Sequence, residues 1–126
     1  MPDITTSEGR TAVEERIMRA MGAVGAVADD DWDRHVGWVL DIDDEPKCVP
    51  MGWLYTGDGM VEAKRWFAQE RGVIVSSQPA TMQHGDAFAE VVWTDEDGSD
   101  KVWAEAADEP IAVALALYRA LEEVGG

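Results

Sequence analysis

The residues of this chain whose clustering could do chemistry are carboxylates. Asp41, Asp43, Asp44 and Glu45 fall close together, as do Asp95, Glu96, Asp97 and Asp100. Hard cations such as calcium take several oxygen ligands, so each cluster invites comparison with a metal loop. The spacing does not support it: an EF-hand loop needs acids at its first, third and fifth positions ahead of a glycine, and a glutamate at its twelfth. Asp95–Asp100, which contains Gly98, reads instead as a polar hairpin turn, and Asp41–Glu45 as a polar loop. Neither a metal nor another cofactor is expected.

A second carboxylate pair arises from strand pairing. Ala87–Trp93 and Val102–Ala106 flank the polar turn and read as a β-hairpin. With the turn centred between Asp97 and Gly98, Glu90 lies directly opposite Glu105. Like charges across a ladder repel, which makes the pair a candidate for a cation, a small ligand or a basic contact. The alternative is that both side chains simply reach water at a sheet edge.

Nucleophilic and acid–base chemistry finds less support. His35 and His84 lie in different polar segments, and neither is accompanied by a serine or cysteine nucleophile motif. Cys48 has no nearby helix start to activate its thiol. The chain contains no phosphate-binding loop, dinucleotide fingerprint or zinc-ligand spacing. The expectation is a protein that is not an enzyme.

Behind these residues stand the elements that position them. Residues 1–9 read as a loose tail, ahead of one α+β domain over 10–126. Thr11 and Glu14 have the spacing of a capping box, and Val13, Ile17 and Met21 form the apolar stripe of a first helix stopped by Gly22. Whether Ala23–Ala28 extends it is open, because Gly25 interrupts. One short strand near Val36–Asp41 is expected next, followed by a long loop broken by Pro46, Pro50 and Gly52. Thr56 caps a second helix that carries Met60, Ala63 and Phe67 and ends at Gly72. Val73–Ser77 is a strand stopped by Pro79. On the hairpin, Ala87, Ala89, Val91 and Trp93 share a face with Val102, Ala104 and Ala106. That apolar face of mostly small residues suits close packing of the terminal helix Pro110–Val124, itself rich in alanine. The expected fold is α+β: a small antiparallel sheet packed with about three helices.

Charge bounds the function. The formal net charge is −16, from 26 acidic and 10 basic residues, so a nucleic acid or an anionic membrane would be repelled. The acidity is uneven. Asp29–Pro46 holds eight acids against one arginine, and Asp95–Glu109 seven against one lysine. A solubilising surface, salt adaptation and a binding surface for a basic protein are the three readings. Clustering favours the first and third, because a salt-adapted coat would be even. As a binding surface, the candidates are Asp29, Asp30, Asp31 and Asp33, with Trp32 as anchor among them. Asp41, Asp43, Asp44 and Glu45 complete the set, since aromatics are enriched at interface hot spots. The longest apolar stretches, Ala20–Ala28 and Ile111–Tyr118, are too short for the ~20 residues of a membrane span. No charged-then-apolar leader precedes them. A single cysteine excludes an internal disulfide, and a cytoplasmic setting is the simplest expectation.

Three segments resemble the phage ABA sandwich domain, a family of small phage and prophage proteins. Glu14–Gly22 is similar to its first helix, which ends on a Met-Gly pair. Tyr55, Thr56, Gly57 and Asp58, followed by Ala63, are similar to its Tyr-Ser-Thr-Asp helix start. Trp103–Leu117, with Pro110 ahead of an apolar run, is similar to its last strand and helix. Gly57 stands where the family usually has threonine. The resemblance implies a viral or prophage origin and an αβα-type sandwich, and it transfers no catalytic residue. Together with the charge, it suggests an accessory protein in the host cytoplasm that binds a basic host or viral protein, such as a nucleic-acid-binding defence complex. A small metal- or ligand-binding domain using Glu90 and Glu105, or a minor virion or assembly protein, are the alternatives.

Overall fold

The computed structural model describes residues 3–28, 31–42, 44–83, 85–95 and 98–124, excepting the side chains of residues 26–28, 31–36, 95 and 124. Helix α1 (Ser7–Ala20) is followed by strands β1 (Val24–Ala28), β2 (Asp31–Ile42) and β3 (Glu45–Pro50) and a short 3-10 turn at Trp53–Tyr55. Helix α2 (Gly57–Arg71), strands β4 (Ile74–Gln78), β5 (Ala87–Asp95) and β6 (Gly98–Ala106), and helix α3 (Glu109–Val124) complete the chain. The strands form two antiparallel sheets of three, in the orders β1-β2-β3 and β4-β5-β6. The α+β class therefore holds, with two small sheets where one was expected.

Helix ends follow local chemistry. The α1 cap is Thr6, whose hydroxyl accepts the Gly9 N–H at 3.0 Å. The helix thus begins earlier than a Thr11–Glu14 capping box would place it, and Ser7–Gly9, read as tail, form its first turn. Thr11 instead donates to the Ser7 carbonyl within the helix. In α2, Thr56 caps as expected, accepting from Gly59 N–H at 3.1 Å, and Gly72 ends the helix at φ 66°, a left-handed conformation open to glycine.

The segment read as one strand and a long loop is a β-meander. Ala23–Ala28 is not helical: Val24–Ala28 pairs with β2, with register shifts after Ala26 and Val27. Pro46 and Pro50, which suggested a broken loop, sit in β3 at the edge of the sheet, where a missing N–H leaves no ladder partner wanting.

The second sheet carries the closest packing. Ala87, Ala89 and Val91 of β5 and Ala104 and Ala106 of β6 are buried under α3, whose Ala112–Leu117 run is buried throughout. Small residues on both sides let helix and sheet approach closely. Helix α1 packs against α3 and reaches Trp38 of β2, and α2 touches α3, β4 and the β2–β3 hairpin, so the helices join the two sheets. The opposite face of β4-β5-β6 carries Phe88 stacked on Trp103 at 6.1 Å, with Trp103 51% exposed.

The hairpin register differs from expectation by two residues. Asp95 pairs with Gly98 and Ala87 with Ala106, so Glu90 faces Trp103 and Glu105 faces Phe88. A shift of two preserves which residues share a face, so the apolar face is as expected, but the opposition of Glu90 and Glu105 is gone.

Strands β2 and β3 approach so closely at Gly37 that a Cβ there would lie 2.2 Å from the Val49 carbonyl oxygen. Gly37→Ala is expected to lower unfolding free energy by about 1–3 kcal/mol, because backbone cannot step aside as a side-chain tip can. Chemical denaturation measures it; an unchanged midpoint would mean that the strands are not this close.

Candidate functional site

Among the described residues, Glu14 is the one buried charged side chain, at 1% exposure. It lies on the apolar stripe of α1, one turn before Ile17 and Met18. Its carboxylate accepts the Trp38 indole N–H at 3.0 Å and the Gly52 backbone N–H at 2.8 and 3.1 Å. Trp38 is in β2 and Gly52 lies two residues beyond β3, so one carboxylate holds one strand of the hairpin and the chain just past the other, and fastens both to α1. Arg19, in the last turn of the helix, lies 5.6 Å from the centre of the Trp38 ring and adds a cation–π contact. Beside this clamp, Tyr55 donates its hydroxyl to the Arg10 carbonyl at 2.5 Å. Burial, then the neighbouring Glu14 charge, push the Tyr55 phenol well above its ordinary range, against the opposing pull of Arg10. A cavity of about 170 Å³ touches these groups, but their polar atoms are spent on one another. The arrangement is structural.

What the clamp positions is the far end of the hairpin. Leu40 and Ile42 of β2 pack onto the core, and the hairpin tip lies over α2. Between them runs a groove of about 320 Å³, walled by Asp41 and Asp44 on the hairpin and by Glu62, Arg65, Trp66 and Glu70 on the helix. Four carboxylates therefore face one guanidinium, and Arg65 is held by Glu62 at 2.6 Å. Asp44 adopts φ 65°, the left-handed region that aspartate and asparagine tolerate better than most residues. Half-buried Trp66 supplies an apolar surface among these charges. Such a groove can take a cationic side chain: carboxylates for the head group, apolar surface for the stem.

Of the candidate binding residues, Asp41 and Asp44 line the groove, and Glu45 is exposed next to it at the start of β3. Asp29, Asp30 and Asp43, and the side chains of Asp31, Trp32 and Asp33, lie outside the described residues. His84 and the side chain of His35 lie outside them as well. Cys48 is exposed on β3, a strand and not a loop. Glu90 lies 4.0 Å from Lys101, not opposite Glu105, so the carboxylate pair does not form. Among the described residues, no three His, Cys, Asp or Glu side chains gather as a metal site would require. Trp38, within the short strand expected near Val36–Asp41, is fully buried in β2.

The helix half of the groove was missed in sequence, although its signal is there. Glu62, Trp66, Gln69 and Glu70 recur at helical spacing on a face of α2 other than the one carrying Ala63 and Phe67. Glu14 had a signal too: three residues before Ile17 and four before Met18, it falls on the buried stripe. No protein-family model, no curated protein and no solved structure matches the chain.

Glu14→Ala strands the Trp38 and Gly52 donors and is expected to cost about 2–4 kcal/mol of stability. Glu14→Gln, keeping one acceptor oxygen, should cost clearly less. An alanine variant within about 0.5 kcal/mol of the parent would show that the clamp bears no weight. The raised Tyr55 phenol has its own signature. Its contribution is fully present below the unfolded phenol value of about 10 and is lost as pH climbs past it, so stability should fall on alkaline titration. In Tyr55→Phe that alkaline slope should be shallower, as seen in denaturation midpoints across the range.

Proposed function

We propose that this chain acts by binding a basic protein segment in the acidic groove between the β2–β3 hairpin and α2, and that it has no catalytic activity of its own. One observation carries the reading: four carboxylates and one already paired arginine surround an apolar surface in a concave site. An arginine or lysine of the partner would lay its stem on Trp66 and its charge among Asp41, Asp44 and Glu70. The chain's net charge of −16 would steer such a partner toward it at low ionic strength and repel nucleic acid. A phage or prophage setting, with a host or viral protein as partner, forms part of the proposal and rests on the sequence resemblance. The same holds for action in the host cytoplasm; among the described residues no helix is long and apolar enough to cross a membrane.

The proposal is tested with an arginine-rich peptide titrated into the protein while Trp fluorescence is followed. Replacing Asp41 and Asp44 by asparagine removes two groove charges, and asparagine at 44 tolerates the positive φ. Affinity is expected to fall about tenfold, and parental binding to weaken as salt rises. The control Asp86→Asn/Glu123→Gln removes the same charge from exposed sites away from the groove and should cost less than about twofold. Equal losses in both variants would reduce the effect to net charge and overturn the groove as the site.

A further inference from the structure

The two sheets present four edge strands, and three of them are blunted against pairing with another chain. β1 is five residues long with two register shifts. β3 holds Pro46 and Pro50, each lacking an N–H. β4 is five residues long and is followed by Pro79. β6 differs: it pairs with β5 over nine consecutive residues without a shift, contains no proline, and carries a half-exposed Trp103 at its middle.

The outward groups of β6 can be identified. Arg119 Nη1 of α3 donates to the Trp103 carbonyl at 2.5 Å and the Lys101 N–H donates to the Asp100 carboxylate at 2.9 Å, both bonds placing these backbone groups on the side away from β5. Because hydrogen-bonding direction alternates along a strand, Lys101, Trp103 and Glu105 share this outer side, where the Lys101 N–H would exchange the Asp100 carboxylate for a carbonyl of an added strand. Their side chains share the face opposite α3, on which Phe88 stacks against Trp103.

We infer that β6 is a self-association edge, joining a second copy of this chain in antiparallel register about a two-fold axis through Trp103. In that register Trp103 faces its own counterpart, and Lys101 stands directly opposite Glu105 of the other copy, twice by symmetry. Lys101 already lies 4.0 Å from Glu90, so it would sit between two carboxylates. On the α3 side the facing residues are Val102 and Ala104, small enough for the sheets to run on as one of six strands. Moving the axis by two positions would set Lys101 against Lys101, so the charges select the register. A carbonyl has two lone pairs, so Arg119 can remain on Trp103 while the strand from the other copy donates to it. The large like charge of the two copies opposes this contact over long range, and added salt screens that repulsion. Self-association should therefore tighten from low to moderate salt, the reverse of a basic partner in the groove, and it uses none of the groove residues.

The test is sedimentation of the full chain over about a hundredfold range of concentration at moderate salt. A reversible monomer–dimer equilibrium is expected. Lys101→Glu and Glu105→Lys, both at exposed positions, each replace the two opposite-charge contacts by like-charge ones and should weaken association about tenfold or more. The double variant K101E/E105K exchanges the partners and should return to within about threefold of the parent. Circular dichroism checks that each variant is folded. A chain monomeric at every concentration, or a double variant as weak as the single ones, would overturn the proposal; an edge that pairs with a different protein's strand would give the first of these results.

Discussion

A buried carboxylate has to find its hydrogen bonds inside the protein, and Glu14 finds them in β2 and in the chain just past β3. Taking that charge out of solvent costs several kcal/mol, and the cost is offset only if donors are already in place. Here they are an indole N–H and a backbone N–H that would themselves be stranded without it. The dependence is mutual: α1 needs the hairpin to satisfy its glutamate, and the hairpin needs α1 to satisfy Trp38 and Gly52. A purely apolar contact could slide by a fraction of a turn at small cost. This one cannot, because the acceptor oxygens and the donors must stay within hydrogen-bond reach.

The two halves of the molecule are held by different physics. Around β4-β5-β6 and α3 the buried interface is apolar, with the polar contacts of Ser77 to Glu109 and of Arg119 to the Trp103 carbonyl at its margins: alanines on helix and strands bring the layers close, and the stabilisation is area and dispersion spread over many contacts. Around β1-β2-β3 the sheet is bulged and proline-edged, and a polar clamp does what a broad apolar face does elsewhere. The groove lies on the second kind of structure. Its hairpin wall is a projecting tip fixed at its base, and its helix wall is α2, capped at both ends by Thr56 and Gly72.

This contrast explains what could be read from sequence. Helix α2 was legible end to end because Thr56 and Gly72 are local signals, and the apolar faces of β5 and β6 were legible because alternation has a period of two. The β5–β6 register was not, since Asp95–Asp100 is polar throughout and a two-residue slip leaves every side chain on the same face. That slip alone turned Glu90 and Glu105 into an apparent pair. The β2–β3 meander was hidden because Pro46 and Pro50 break loops and central strands alike, and only knowledge of which strand is at the edge tells the cases apart. Glu14 was hidden by Thr11, whose spacing offered it a capping role at a helix start that lies at Thr6 instead. Asp41 and Asp44 were identified as candidates, yet the α2 residues that make them one wall of a groove lie about twenty positions further on.

The clamp also bears on what the groove can do. The hairpin tip brings Asp41 and Asp44 into one groove with the α2 carboxylates Glu62 and Glu70 and with Arg65. It stays because its base is pinned at Trp38 and Gly52 and because Leu40 and Ile42 are packed beneath it. The negative potential between the walls is thus held in place by the fold, and a cation entering the groove would relieve a repulsion already present. Binding energy need not be spent on closing the site, which is the advantage of preorganisation. The same logic runs backwards: a cationic ligand that bridges hairpin and helix favours the folded, clamped hairpin over any opened form. Loss of the Glu14 clamp should accordingly weaken binding in the groove without touching any groove residue, and bound ligand should recover part of the stability that the clamp supplied.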